Sequence, residues 1–404
     1  MGISKRVWEE EQERGYRLTD GKTVCLNCFE ESGIKQFIKE NNTHSVCSYC
    51  ENEKEISTCE LDSLIEHILN SIRHEWGHPA NEGIPYETRE GGWQYENVYD
   101  TWDLLDEIGL ENIHGEVFED ICNSIHNIEW CKRDPFSLPK DRTLLYGWLN
   151  FSTFVMRKSR YVFLKAKNLD YDEDQHDEMD PVEILDSLKN IINRLNLIKT
   201  IDTDTSIFRV RVVNPEKSFN TAKELGSPPY QYATMANRMS PAGIPMFYGA
   251  FDVETAIKET YEPCKEEKKA IIGVFKPVKN MKVVDLSESL PYPSLFDKHD
   301  RHKRDDISFL SDFITDFSKP IERQDKAHID YVPTQIVTEY FRHIFKSKDG
   351  SEISGVIYPS SKNNGKKAIV LFASSKQCID SDSASIKESM LRLDSVKTNT
   401  LERI

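Results

Sequence analysis

Four cysteines near the start of the chain constrain its fold more than any other feature: Cys25-Leu-Asn-Cys28 and, after eighteen further residues, Cys47-Ser-Tyr-Cys50. Two residues between paired thiolates let both face one tetrahedral ion, and the longer loop returns the second pair to it. Zinc favours such a four-sulfur cage, and the spacing is of the zinc-ribbon or knuckle type. Four thiolates close the coordination shell, so the expected role of Zn2+ is structural: it lets a short segment fold without a large core. His44 and Cys59 are nearby substitutes. Cys122, Cys131, Cys264 and Cys378 are scattered and read as reduced cytosolic thiols.

A chain of 404 residues is too long for one simple core and suits two or three domains. With 52 basic against 68 acidic side chains the net charge is −16, a long-range field that repels phosphate backbones and argues against nucleic acid as a partner. No apolar run reaches the roughly 18–20 residues of a membrane span, and the charged start lacks the apolar stretch of a signal peptide. The expectation is a soluble cytoplasmic protein.

From Leu61 the apolar residues recur at helical spacing (Leu64, Ile65, Ile68, Leu69, Ile72), and again through Trp102, Leu105, Ile108, Ile113, Val117, Ile121 and Ile125. The aromatic-rich stretch from Leu144 to Phe163 is expected to pack against this bundle. At the end of the first helix, Arg73-His74-Glu75-Trp76-Gly77-His78 fits an Arg-x4-His pattern. The pattern resembles the HEPN family of small helical bundles, some of which are dimeric ribonucleases. There a histidine moves the ribose 2′-OH proton while an arginine holds the phosphate. An Arg and a His at a helix C-terminus also suit the dipole, and that structural reading is the favoured one. The acidic block Asp170–Pro181 reads as a solvated linker, with Asp180 as a helix cap and Pro181 at the first helical position. Ile184, Leu188, Ile191, Leu195 and Ile198 then form a core-facing seam.

After about Ser206 the pattern changes to short β-prone runs. Ile207-Phe208-Arg209-Val210-Arg211-Val212-Val213 alternates as a strand and sends both arginines to one face. Two unpartnered charges in a core would be costly, so that face is expected to open onto an anionic pocket. Next come a turn at Asn237-Arg238-Met239-Ser240-Pro241 and a short strand ending at Tyr248, followed by Gly249-Ala250. Then follow a helix with Thr255-Ala256-Ile257-Lys258-Glu259, a helix start at Pro333-Thr334-Gln335, the run Gly355-Val356-Ile357-Tyr358-Pro359-Ser360, and the strand Ala368–Phe372.

In order and spacing, these pieces resemble the RES domain over roughly residues 206–373, and the N-terminal part is similar to the HEPN-type segment fused to some RES domains. The resemblance implies a fold similar to ADP-ribosyltransferases and a toxin that cleaves NAD+ at its nicotinamide–ribose bond. Matched position by position, it implies Arg209, Tyr248 and Glu259 as catalytic residues, with Arg238 and Ser360 binding substrate; Arg211, on the same strand face as Arg209, is a further substrate-binding candidate. Loss of nicotinamide builds positive charge on the ribose, which the Glu259 carboxylate would stabilise. Arg209 and Arg238 would clamp the diphosphate with Arg211 as a third, Tyr248 would stack on nicotinamide or ribose, and Ser360 would hydrogen-bond amide or phosphate. All of these are expected in one pocket.

The expected architecture is α+β: a zinc-knuckle segment over 1–60, a helical HEPN-like domain over 61–200, a RES domain with a mixed β-sheet over 201–375, and a loosely packed tail over 376–404. Residues 296–330 stand out as a charged insert. The expected activity is that of a toxin or phage-defence enzyme depleting NAD+. Its rivals are ADP-ribosyl transfer to a protein, a HEPN-like ribonuclease with RES as adaptor, and a cleft that binds without turnover. An antitoxin or regulatory protein and a homodimer are the expected partners beside NAD+.

Overall fold

The computed structural model of the protein describes residues 3–50, 56–110, 115–165, 179–180, 182–319, 326–384 and 387–401. The chain divides into two units, residues 1–139 with 291–305, and residues 140–290 with 306–404. No described helix is long and apolar enough to cross a membrane.

In the first unit, α1 (Ile3–Arg14) leads to β1 (Thr23–Cys25) and α2 (Ser32–Glu40), and β1 pairs antiparallel with β2 (Thr58–Glu60). Helix α2 starts where the Glu31 carboxylate accepts the Ile34 N–H at 2.8 Å. Helix α3 (Leu61–Glu75) buries Leu61, Leu64, Ile65, Ile68, Leu69 and Ile72, the stripe its spacing predicts. Beyond it, β3 (Trp76–Gly77) pairs with β6 (Cys131–Lys132), enclosing the hairpin of β4 (Tyr86–Glu87) and β5 (Gly92–Trp93). Helices α4 (Thr101–Glu107) and α5 (Gly115–Ser124) close the bundle. Cys25, Phe29 and Ile34 share one core with α3, α4 and α5, so the cysteine segment is continuous with the bundle.

Residues 291–305 complete that unit. Leu295 and Phe296 lie in its core, and the carbonyl of Phe296 is 2.8 Å from Nε2 of His67, whose ring stacks on Phe37 at 4.1 Å. The segment expected as a charged insert therefore begins as a core element. The hydrophobic pair Leu295–Phe296 outweighs the charges that follow it.

The second unit is built on a nine-stranded mixed sheet. Its strands are β7 (Ile198–Ile201), β8 (Ile207–Val213), β9 (Phe247–Ala250), β10 (Lys269–Pro277), β11 (Met281–Asp285), β12 (Ile353–Pro359), β13 (Lys367–Leu371), β14 (Cys378–Asp380) and β15 (Leu391–Thr400). The order is β14-β15-β10-β8-β9-β13-β12-β11-β7. Only β11/β12 and β14/β15 run parallel. One face carries α6 (Lys140–Arg157), α7 (Glu183–Arg194), α10 (Arg304–Ser318) and α12 (Val332–His343), which follows the short α11 (Ala327–Asp330). The same face carries α9 (Val253–Thr260), whose Ala256 and Ile257 pack on Val210 and Phe208 of β8. On the opposite face Phe247, Phe275 and Leu391 pack with α8 (Ala222–Leu225).

Three expectations need correction. The aromatic stretch of α6 packs not on the N-terminal bundle but in this second core, where Trp148 meets Phe313 edge-on at 4.9 Å; periodicity reveals a buried face without naming what covers it. The described residues after 375 are not loose: β15 pairs with β10 from Lys269↔Thr400 to Pro277↔Leu391. Its alternation, Leu391 and Leu393 inward, had been masked by Ser and Lys on the other face. Finally, α7 starts at Glu183 with Val182 at its N-cap, while Asp180 accepts the Val182 N–H at 3.0 Å. Pro181 and the acidic run through residue 178 lie outside the described residues.

Candidate active site and metal centre

Cys25, Cys28, Cys47 and Cys50 bring their sulfur atoms within 4.8 Å of one another. The nearest contacts are Cys25–Cys50 at 3.4 Å and Cys25–Cys28, Cys28–Cys47 and Cys28–Cys50 at 3.7 Å. A tetrahedral ion with about 2.3 Å metal–sulfur bonds has sulfur–sulfur edges of about 3.8 Å. These distances match that cage and are too long for disulfides. The four cysteines thus fit a structural zinc. Burial and the neighbouring sulfurs Cys47 and Cys25 push the Cys28 thiol up, and burial pushes Cys50 up to about 12. Burial acts on Cys47 too, yet the backbone N–H groups of Tyr49 and Cys50 hold it below its ordinary value. Without a cation, four negative sulfurs cannot coexist there. Cys59 is buried in β2 outside the cluster, and the exposed His44 faces Asn42.

In the second unit, α9 and the end of β12 bring Glu259 and Ser360 together. The Asp252 carboxylate caps α9 by accepting from the Thr255 N–H at 2.8 Å. Seven residues on, Glu259 accepts a hydrogen bond from Ser360 Oγ at 2.5 Å. Ser360 is buried, and its oxygen in turn accepts the backbone N–H groups of Asn363 (3.0 Å) and Lys362 (3.3 Å). Glu259 itself is exposed.

Tyr248 and Arg238 lie within electrostatic reach of Tyr358, two residues before Ser360. Tyr248 is half-buried on β9, its hydroxyl 2.9 Å from Ser240 Oγ; burial pushes its phenol up to about 12. Arg238 Nη1 donates to the Ser318 carbonyl at 2.5 Å. The Pro-Thr-Gln start of α12 holds this turn: Thr334 donates to the Arg238 carbonyl, and Gln335 Nε2 to the Asn237 carbonyl at 2.8 Å. Tyr358, which has no assigned role in the sequence reading, is buried among them. Burial, then the charges of Glu259 and Tyr248, raise its phenol, while Arg238 opposes them. Its place in the Tyr-Pro-Ser run was the available signal.

Arg209 and Arg211 are arranged differently. Alternation along β8 sends Ile207, Arg209 and Arg211 to the Phe247 face, and Phe208, Val210 and Val212 to the α9 face. The two arginines therefore do not join Glu259 and Tyr248 in one pocket on a single face. Strand β8 pairs with β10 along its whole length but with β9 only at Phe208↔Ala250. Along this sparsely bonded seam Arg209 Nη1 donates to the Tyr248 carbonyl at 2.6 Å, and its guanidinium lies 5.2 Å from the Phe247 ring. Arg211 Nη2 donates to the Gly226 carbonyl at 3.3 Å. Among the described residues neither arginine has a carboxylate partner, and the Nε of each is buried without a hydrogen bond. Burial, reinforced by the charge of Arg211, pulls Arg209 down to about 9. A buried guanidinium beside a half-buried one, each with an unbonded buried Nε, makes a demand for an anion.

Comparison with known families decides what this arrangement belongs to. The family model of the RES domain matches residues 208–394, and that of HEPN/RES N-terminal domain 1 matches residues 40–169. The chain is a RES-domain protein. No curated protein and no solved structure matches it. The RES match contains Arg209, Arg211, Arg238, Tyr248, Glu259 and Ser360, and it extends through β14 into β15, in accord with their place in the sheet. Cys47 and Cys50 fall inside the N-terminal match, whereas Cys25 and Cys28 precede it.

Within the HEPN/RES N-terminal domain, the Arg-x4-His residues do not converge. The exposed Arg73 donates to the Arg14 carbonyl at 3.3 Å. His78 Nδ1 accepts the Ala80 N–H at 3.2 Å, its ring edge-on to Trp93 at 5.9 Å. Each has a local structural role.

Proposed function

We propose that the RES domain cleaves NAD+ at the nicotinamide–ribose bond, as a toxin or phage-defence enzyme that lowers the cellular NAD+ level. One observation carries the reading: on one face of the sheet a buried serine donates to the Glu259 carboxylate, and on the other face lie two arginines whose Nε atoms are buried without a hydrogen bond. The RES family is generally associated with NAD-using chemistry, which agrees with it.

In this reading the dinucleotide reaches both sides of the sheet at the β8–β9 seam. Its pyrophosphate meets Arg209 and Arg211 on one side, with Arg238 on the other, and its nicotinamide ribose faces Glu259 and Tyr248. The N-glycosidic bond breaks with its electron pair going to nicotinamide, which leaves neutral. Glu259 stabilises the positive charge developing on the ribose, and an acceptor oxygen bonds to C1′ and gives its proton to solvent. The zinc held by Cys25, Cys28, Cys47 and Cys50 keeps the first sixty residues folded and takes no part in this chemistry.

The test is release of free nicotinamide from NAD+ by the purified full chain. Glu259→Gln should lower that release at least about 100-fold with an unchanged melting temperature. Nicotinamide release at the wild-type rate by Glu259→Gln would remove the catalytic role. Transfer of label from adenine-labelled NAD+ onto protein would identify the acceptor as a macromolecule.

A further inference from the structure

We infer that Asn363 is a positioning residue for Glu259, locking the β12–β13 turn to the first turn of α9 so that Ser360 donates only to Oε1 of Glu259 and Oε2 is left for substrate. The inference rests on Glu259 being the catalytic carboxylate.

Hydrogen-bond direction fixes each group in this lock. A serine hydroxyl has one proton and two lone pairs. Ser360 Oγ already accepts from the backbone N–H groups of Asn363 and Lys362, so its single proton is committed to Glu259 Oε1. The second connection is made by the Asn363 side chain, whose Nδ2 donates to Thr255 Oγ1 at 2.8 Å, 108 residues away in sequence. Thr255 is fully buried, and its hydroxyl proton goes to Asp252 Oδ2 at 2.8 Å. The Thr255 oxygen can therefore only accept from Asn363, which fixes the amide orientation. Lys258 Nζ, which can only donate, meets Asn363 Oδ1 at 3.1 Å and requires the same orientation. One residue thus ties Ser360 by its main chain and α9 by its side chain. Glu259 lies one turn beyond Thr255 on that helix, so the lock sets where its carboxylate sits. A turn-shaping asparagine would need only its backbone contacts. The reach to a buried hydroxyl on another element is what marks Asn363 as a positioning group.

The test uses the full-length protein with Asn363→Ala, the isosteric Asn363→Asp, Thr255→Val and Thr255→Ser. A reacting group displaced by about an ångström loses roughly 100-fold in rate. Asn363→Ala, Asn363→Asp and Thr255→Val should therefore lower kcat for nicotinamide release by about 10- to 100-fold with KM within about twofold. Thr255→Ser, which keeps the hydroxyl, should retain wild-type kcat. The Asn363→Ala/Thr255→Val pair should lose no more than the worse single variant, because the two act as one unit. Wild-type kcat in Asn363→Ala, or additive losses in the pair, would overturn the inference. A crystal structure of Asn363→Ala decides the matter independently of turnover. The inference expects Ser360 Oγ beyond hydrogen-bonding distance of Glu259 Oε1, and an intact bond refutes it. If the wild type releases no nicotinamide while that bond is lost in Asn363→Ala, the proposed reaction fails and the positioning role stands.

Discussion

Replacing Arg209 by methionine should make the protein more stable while removing its activity. Arg209 is 9% exposed, has no carboxylate partner among the described residues and carries an unsatisfied Nε. A guanidinium drawn from its ordinary range down to about 9 marks a charge that costs the fold roughly 5 kcal/mol at neutral pH, taking about 1.36 kcal/mol per pH unit. Methionine also forfeits the 2.6 Å bond to the Tyr248 carbonyl, about 1.5–3 kcal/mol for a charged donor, and the contact with the Phe247 ring, about 0.5–1 kcal/mol. The net expectation for Arg209→Met is a gain of about 1–3 kcal/mol, in line with apolar replacement of buried charge elsewhere. At about 2–4 °C per kcal/mol for a unit of this size, calorimetry at pH 7 should show the C-terminal transition rising by about 2–12 °C. The folded state holds the Arg209 proton less tightly than the unfolded state does. The penalty is therefore complete below about pH 9 and fades as pH rises from there toward the guanidinium's ordinary value. The advantage of Arg209→Met should accordingly shrink above pH 9. A melting temperature lowered by several degrees, or an advantage indifferent to pH, would refute the reasoning.

Elemental analysis of the purified chain should find one zinc, and Cys28→Ser should lose it together with the melting transition of the N-terminal unit. Structural zinc contributes an apparent 10–16 kcal/mol or so in small domains, so an unchanged zinc content would contradict the assignment. Ending the chain at Ser375 removes β14 and β15 and strips the edge of β10 of its partner. The expected product is insoluble or lacks a cooperative transition, and a soluble, cooperatively melting truncation would show that the last strands are dispensable.

Much of the local structure was legible because it is written in periodicity and spacing. The stripe of α3, the paired cysteines and the β8 alternation each follow from positions a few residues apart. The conflict of two arginines on one strand face was also readable, and it marked the anion-seeking side of the sheet. What escaped was non-local. The partner of α6, the burial of Leu295 and Phe296, and the pairing of β15 with β10 depend on residues more than a hundred positions away. The sparse pairing of β8 with β9 escaped for the same reason: it is a property of how the two strands meet, not of either sequence. The sequence reading places the arginines and Glu259 in one pocket, although the structure holds them on opposite faces of the sheet. Tyr358 was missed because a buried tyrosine on a strand looks like core until its charged neighbours are known.

The central claim is that Glu259 and the paired arginines act on one dinucleotide across the sheet. It is tested most directly by mass spectrometry of NAD+ incubated with the full chain, with and without inorganic phosphate. The account predicts nicotinamide together with an equal amount of ADP-ribose or its phosphate ester, none of it formed by Glu259→Gln or by Arg209→Met. Intact NAD+ after incubation with folded, zinc-loaded protein would contradict it.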